Sequence, residues 1–125
     1  MQYWEITEKI IDCAFAVFNH LGSGCLESVY ERCMLIELRK AGLCANSQQK
    51  IKVVYDNQIV GEFTANIIVE ESIIVELKAV SQITKIHETQ LVNYLASTGK
   101  NVGLLTNFGS EKVQVRRKIK SLEGS

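Results

Sequence analysis

Apolar residues recur at helical spacing over residues 5–21: Ile6, Ile10, Ala14, Val17 and Leu21, with Ile11, Phe15 and Phe18 beside them. Leu21-Gly22-Ser23-Gly24 ends that helix, because glycine caps a helix C-terminus at little steric cost. A second helix is predicted from about Cys25 to Ala41, closed by Gly42. The period then changes to two. Ile51, Val53 and Tyr55 mark a strand, Asp56-Asn57-Gln58 turns the chain, and Ile59–Val69 returns as a long strand. Glu70-Glu71-Ser72 turns it again into Ile73–Val80. A third helix is predicted over residues 82–98, ended by Gly99. A short apolar strand follows at Val102–Thr106, then a turn at Asn107-Phe108-Gly109-Ser110 and a last strand at Lys112–Lys118. The order ααβββαββ implies an α/β fold with a mixed, mostly antiparallel sheet of about five strands flanked by helices.

Four places break the pattern with polar groups. Ile73–Val80 reads Ile-Ile-Val-Glu-Leu-Lys-Ala-Val, and strand alternation puts Ile74, Glu76 and Lys78 on one face. A carboxylate and an ammonium two residues apart can hold a divalent metal and steady a hydroxide or phosphate beside it. They also suit the solvent face of a half-exposed strand. Asn66 lies opposite Glu76 if the intervening loop is the three residues Glu70 to Ser72; a two-residue loop would send it to the other face. Glu27 shares a mostly apolar helical stripe with Tyr30, Met34, Leu38 and Ala41 and is expected to point inward, although the helix dipole alone favours an acid there. Gln90 lies among Ile83, His87, Leu91 and Tyr94 on the stripe expected to face the sheet; the plain alternative is a satisfied core amide.

Charge and composition narrow the class. The chain has 125 residues, enough for one domain, and is 46% hydrophobic and 22% charged, as ordinary globular proteins are. No apolar run approaches the ~20 residues of a membrane span, and the start lacks a basic-then-apolar signal, so a cytoplasmic location is expected. Cys13, Cys25, Cys33 and Cys44 form no C-x-x-C pair, which disfavours zinc; they are expected to remain thiols. Net charge is zero, yet residues 112–120 carry Lys112, Arg116, Arg117, Lys118 and Lys120 with no acid. Arg116, Arg117 and Lys118 are candidates for meeting phosphates, or else guard a solvated edge strand. An edge strand or the first helix offers a surface for a homodimer.

The polar positions also fall in a recognisable order. Gly24-x-x-Glu27-x-x-Tyr30 with Glu37-Leu38 resembles the signature of the GxxExxY proteins. Gln49, Val53-x-Tyr55, Glu76-Leu77-Lys78-Ala79-Val80, His87-x-x-Gln90-Leu91-x-Asn93-Tyr94-Leu95 and Gly103-Leu104-Leu105-x-Asn107-Phe108-Gly109 agree with it. That family is similar to the PD-(D/E)xK nuclease-like superfamily. The resemblance implies a restriction-endonuclease-like core and Mg²⁺-dependent phosphodiester hydrolysis in active members. It places metal ligands at Glu27, position 66 and Glu76, with Lys78 and Gln90 as catalytic residues. The family pattern has Asp where this chain has Asn66. Losing that carboxylate predicts weak Mg²⁺ binding and low or absent hydrolysis, or else a catalytically silent module that binds nucleic acid or protein on the same fold.

Overall fold

The order read from the sequence is the order in space. The computed structural model describes residues 2–120 and contains α1 (Tyr3–Leu21), α2 (Glu27–Lys40), β1 (Ala45–Tyr55), β2 (Gln58–Val69), β3 (Ile73–Lys78), α3 (Lys85–Thr98), β4 (Val102–Asn107) and β5 (Gln114–Ile119). The sheet runs β1-β2-β3-β4-β5. Of its neighbouring strands, β3 and β4 alone are parallel, joined through α3 as a parallel pair requires. Several ends differ from expectation: β1 already begins at Ala45 rather than near Ile51, β3 stops at Lys78 rather than Val80, and β5 spans Gln114–Ile119 rather than Lys112–Lys118. Two helix starts also differ, for local reasons. The α2 helix starts at Glu27 rather than near Cys25, and the Cys25 N–H is taken by the Tyr30 hydroxyl. The α3 helix starts at Lys85 because Thr84 caps it. No described helix is long and apolar enough to cross a membrane.

The sheet separates two cores. On one side α1 and α2 bury Ile10, Val17, Tyr30, Met34 and Leu38 against Ile67, Val69, Val75, Leu77 and Leu104. On the other, α3 buries Leu91 and Leu95 against Phe63, Ile68, Ile74 and Leu105. Burying each such aliphatic side chain contributes roughly 1.5–3 kcal/mol.

Two irregularities in the sheet position the site. The first is a shared kink in β1 and β2. Ala45, Ile67 and Val69 face the α1/α2 core, whereas Ile51, Val53, Phe63 and Ala65 face α3, although all are odd-numbered. Strand alternation keeps odd residues on one face, so both strands reverse faces in between. The reversal falls at Gln48 and Asn66, which are missing from the ladder between Ser47↔Ile67 and Gln49↔Ala65. Gln48 has a positive φ of 54° there.

The second irregularity is a fork. β2 pairs with β3 only at Ile67↔Val75, Ile68↔Ile74 and Val69↔Ile73. The connecting loop is therefore the three residues Glu70, Glu71 and Ser72, the loop that the sequence requires if residues 66 and 76 are to meet. Beyond it, from Ala65 back to Gln58, β2 stays with β1 and leaves β3. The Asp56-Asn57 tip, with φ of 51° and 61°, has the paired positive φ of a tight hairpin turn.

Candidate active site at the fork of the sheet

Glu76, Lys78 and Gln90, the three residues expected to be catalytic, line one cleft of about 300 Å³. Its walls are β3, α3 and the departing stretch of β2 at Glu62, Phe63 and Thr64; His87 and Tyr94 also line it. Glu76 and Lys78 reach it because their neighbours Val75 and Leu77 are buried in the α1/α2 core and alternation turns the even residues toward α3. Gln90 is exposed, not an inward core amide: Leu91 and Leu95 form the buried stripe of α3, and Gln90 stands at the cleft's edge. Phe63 and Tyr94 stack beneath it with ring centroids 3.6 Å apart.

Glu76 is the unusual group. Its Oε1 is buried and has no hydrogen-bond partner among the described residues. Its carboxyl is pushed up to about 7, first by burial, with the charges of Glu27 and Glu31 adding to it. Lys78 and the backbone amide of Asn66 pull it back only in part.

Asn66 sits in the fork, outside the cleft lining. Its Oδ1 accepts the Leu77 backbone N–H at 2.9 Å. Its Nδ2 donates to Glu31 Oε1 at 3.0 Å. Gln48 Nε2 donates to the same Glu31 oxygen at 2.8 Å. The two residues at the kink thus clamp one carboxylate of α2. Nothing in the sequence singles out Glu31 or Gln48, because their meeting depends on the face reversal.

Glu27 does not point inward. It is exposed at the start of α2, where the stripe Tyr30, Met34, Leu38 alone is buried. Its surroundings are nevertheless fixed. The Tyr30 hydroxyl donates to the Gly22 carbonyl at 2.6 Å and accepts the Cys25 N–H at 3.2 Å. The Tyr30 ring stacks on Phe108 at 4.5 Å and 9°. The Gly24-x-x-Glu27-x-x-Tyr30 signature therefore reads as an acid on a helix start whose entry loop is pinned by a buried phenol. Glu27 and Glu31 stand close enough to act on the Glu76 carboxyl through space, but among the described residues no three His, Cys, Asp or Glu side chains converge tightly enough to hold an ion.

The basic strand splits. Register puts Arg116 beside Leu105 and Arg117 beside Leu104, so Arg116 and Lys118 lie on the α3 face and Arg117 on the other. Lys118 is ion-paired with Glu88 of α3, and that bond holds the Glu88 carboxyl below its ordinary value. The four cysteines are free thiols.

Residues 4–118 match the PD-(D/E)XK nuclease superfamily. Together with the five-stranded mixed sheet in the order ααβββαββ, this shows that the chain belongs to that superfamily, whose nucleases typically use divalent metals. Among solved structures, the crystal structure of SSO0001 is similar at 16% identity and a TM-score of 0.59, with 97% of this chain and 59% of that chain covered. A likeness at that identity speaks to the fold, and this chain spans about 59% of the other's length. No curated protein matches the chain.

Proposed function

We propose that the chain is a metal-dependent phosphodiester hydrolase of nucleic acid with a weakened metal site. The observation that carries this is Glu76 Oε1, a buried carboxylate oxygen without a partner in a cleft shared with Lys78 and Gln90. An unpaired buried carboxylate is costly unless it is protonated or meets a cation. The donor set suits a hard divalent ion such as Mg²⁺. Glu76 would be its principal ligand, with Glu27 as the second carboxylate. Asn66 has a carbonyl already engaged by Leu77 and brings no charge. A divalent ion bound there would polarise the scissile phosphate and lower the pKa of a water. Lys78 neutralises charge that builds on the phosphate oxygens. Gln90 orients the substrate from the rim, and Arg116 on the same face adds backbone attraction.

Incubation with single- and double-stranded DNA and RNA in Mg²⁺ or Mn²⁺ tests the proposal. Slow cleavage that disappears in both Glu76→Ala and Lys78→Ala is the expected result. Activity surviving in either variant belongs to a contaminant and removes the support.

A second reading, a silent binding module, is favoured by one observation: both polar atoms of Asn66 are already bonded. It predicts salt-dependent nucleic-acid binding with no cleavage at any metal concentration.

A further inference from the structure

We propose that His87 is a phosphate-binding residue of the cleft, donating from Nε2 to a phosphate oxygen of bound nucleic acid. This rests on the phosphodiester reading of the cleft. The ring occupies the third position of α3 and closes a capping box with Thr84. The His87 backbone N–H donates to Thr84 Oγ1 at 3.4 Å, and the Thr84 backbone N–H donates to His87 Nδ1 at 3.1 Å. A neutral imidazole that accepts at Nδ1 carries its hydrogen on Nε2. The backbone of the helix start therefore fixes both the ring's orientation and its tautomer. Nε2 is left as a donor without a partner among the described residues, on a side chain that lines the cleft with Glu76, Lys78 and Gln90.

The choice of residue is informative. A capping box ordinarily uses Glu or Gln at this position, since either accepts the N-cap N–H. Glu would also suit the positive end of the helix. For the helix alone, histidine is the poorer choice. What the ring adds is a second polar atom of opposite kind on its far side, held at a fixed place. The cleft already contains the carboxylates of Glu62 and Glu76, and a third there would repel an anion. An N–H donor on α3, lining the same cleft as Lys78 on β3, instead gives a phosphate one contact from each element.

His87→Glu separates the two roles, because it preserves the cap and removes the donor. Ile86→Glu is the control. It brings the same charge change one residue away, on a side chain 69% exposed and outside the cleft lining. Binding is read by fluorescence anisotropy with labelled single- and double-stranded DNA and RNA at low salt. It is read in the full chain without divalent metal and on a Glu76→Gln background, so that cleavage plays no part. His87→Glu is expected to weaken binding about ten-fold or more, the worth of one hydrogen bond to a charged group, without lowering the melting temperature. Ile86→Glu is expected to weaken it only slightly. Equal binding by His87→Glu and the parent, or an equal loss in Ile86→Glu, overturns the role of His87 while the phosphodiester reading stands. No binding of any of the four nucleic acids by either parent overturns both.

Discussion

Asn107 and Glu76 are polar residues at the C-terminal ends of neighbouring parallel strands, and the structure treats them in opposite ways. Asn107 is fully buried, and all four of its hydrogen-bonding positions are used. Its Oδ1 accepts the backbone N–H groups of Val80 and Gly109, and its Nδ2 donates to the Val80 carbonyl and to Gln114 Oε1. Glu76, with a buried oxygen that touches no donor, is the reverse. A saturated buried amide holds a fold together; it ties the loops after β3 and β4 to each other and to β5. A half-buried carboxyl with one oxygen left unpaired adds little to the fold and points to a role outside it. The contrast separates structural from chemical positions among residues that look equally polar in the sequence.

The largest effect should come from the saturated side. Asn107→Ala removes four hydrogen bonds and leaves the Val80 N–H and carbonyl and the Gly109 N–H without that partner, while Gln114 Oε1 keeps the Ile83 N–H. It is expected to cost about 4 kcal/mol in urea unfolding. Gly109→Ala strikes the same junction from outside. A Cβ at 109 would press into the backbone of Ala79 and Val80, which cannot yield without moving the loop. A loss of about 2 kcal/mol or more is expected. Near-neutral stability in both variants would mean that the Asn107 knot does not hold the strand ends.

On the unsaturated side the sign reverses. Glu76 has a folded-state value of about 7 against an ordinary 4.5, so the unfolded chain releases the proton first. Stability from this group is then fully present below pH 4.5, declines as pH rises, and is lost above about 7. The difference corresponds to about 3 kcal/mol. Glu76→Gln should match the parent at pH 4.5 and exceed it by that order above pH 7. Mn²⁺ should close the gap for the parent alone, because a cation satisfies the ionised carboxyl. A gap that does not change with pH would show that Glu76 is already compensated.

How much of this is legible in the sequence varies by residue. Glu76 and Lys78 stand out because period-two alternation places them on one face of an otherwise apolar strand, and they do share the cleft. The fork is implicit in strand lengths, since the long strand ending at Val69 cannot stay paired along the shorter one that starts at Ile73. Glu27 defeats the periodicity: its stripe on α2 is apolar, but the helix's first turn projects past the core and leaves it exposed. Glu31 and Gln48 are invisible. They meet Asn66 only because β1 and β2 reverse faces together, and no glycine marks the positive φ at Gln48. For His87 the signal is present as Thr84-x-x-His87, a capping box with an unusual fourth member, but it carries meaning only once the cleft is seen beside it. Asn107, Phe108 and Gly109 look like an ordinary turn, and their partners Val80, Tyr30 and Gln114 lie on separate elements that the pattern alone does not bring together.

Asn66 is the intermediate case and offers the smallest and most discriminating test. Like Asn107, it uses both ends of its amide; like Glu76, it stands at a position where the sequence resemblance implies chemistry. Asn66→Asp keeps an oxygen for the Leu77 N–H but replaces the donor to Glu31 with a second carboxylate. Gln48 still donates to Glu31, which limits the damage. Without divalent metal a loss of about 1–2 kcal/mol is expected from the missing bond and the repulsion. With Mn²⁺ the order should invert. The new carboxylate would join those of Glu76 and Glu27 at the proposed site, and ligand binding to the folded state alone raises its stability by mass action. A thermal shift on Mn²⁺ addition larger than the parent's would identify Asn66 as the element that weakens the metal site. If the loss appears but Mn²⁺ restores nothing, the amide clamp on Glu31 belongs with Asn107, as structure, and any cation at the orphaned oxygen of Glu76 would bind without help from position 66.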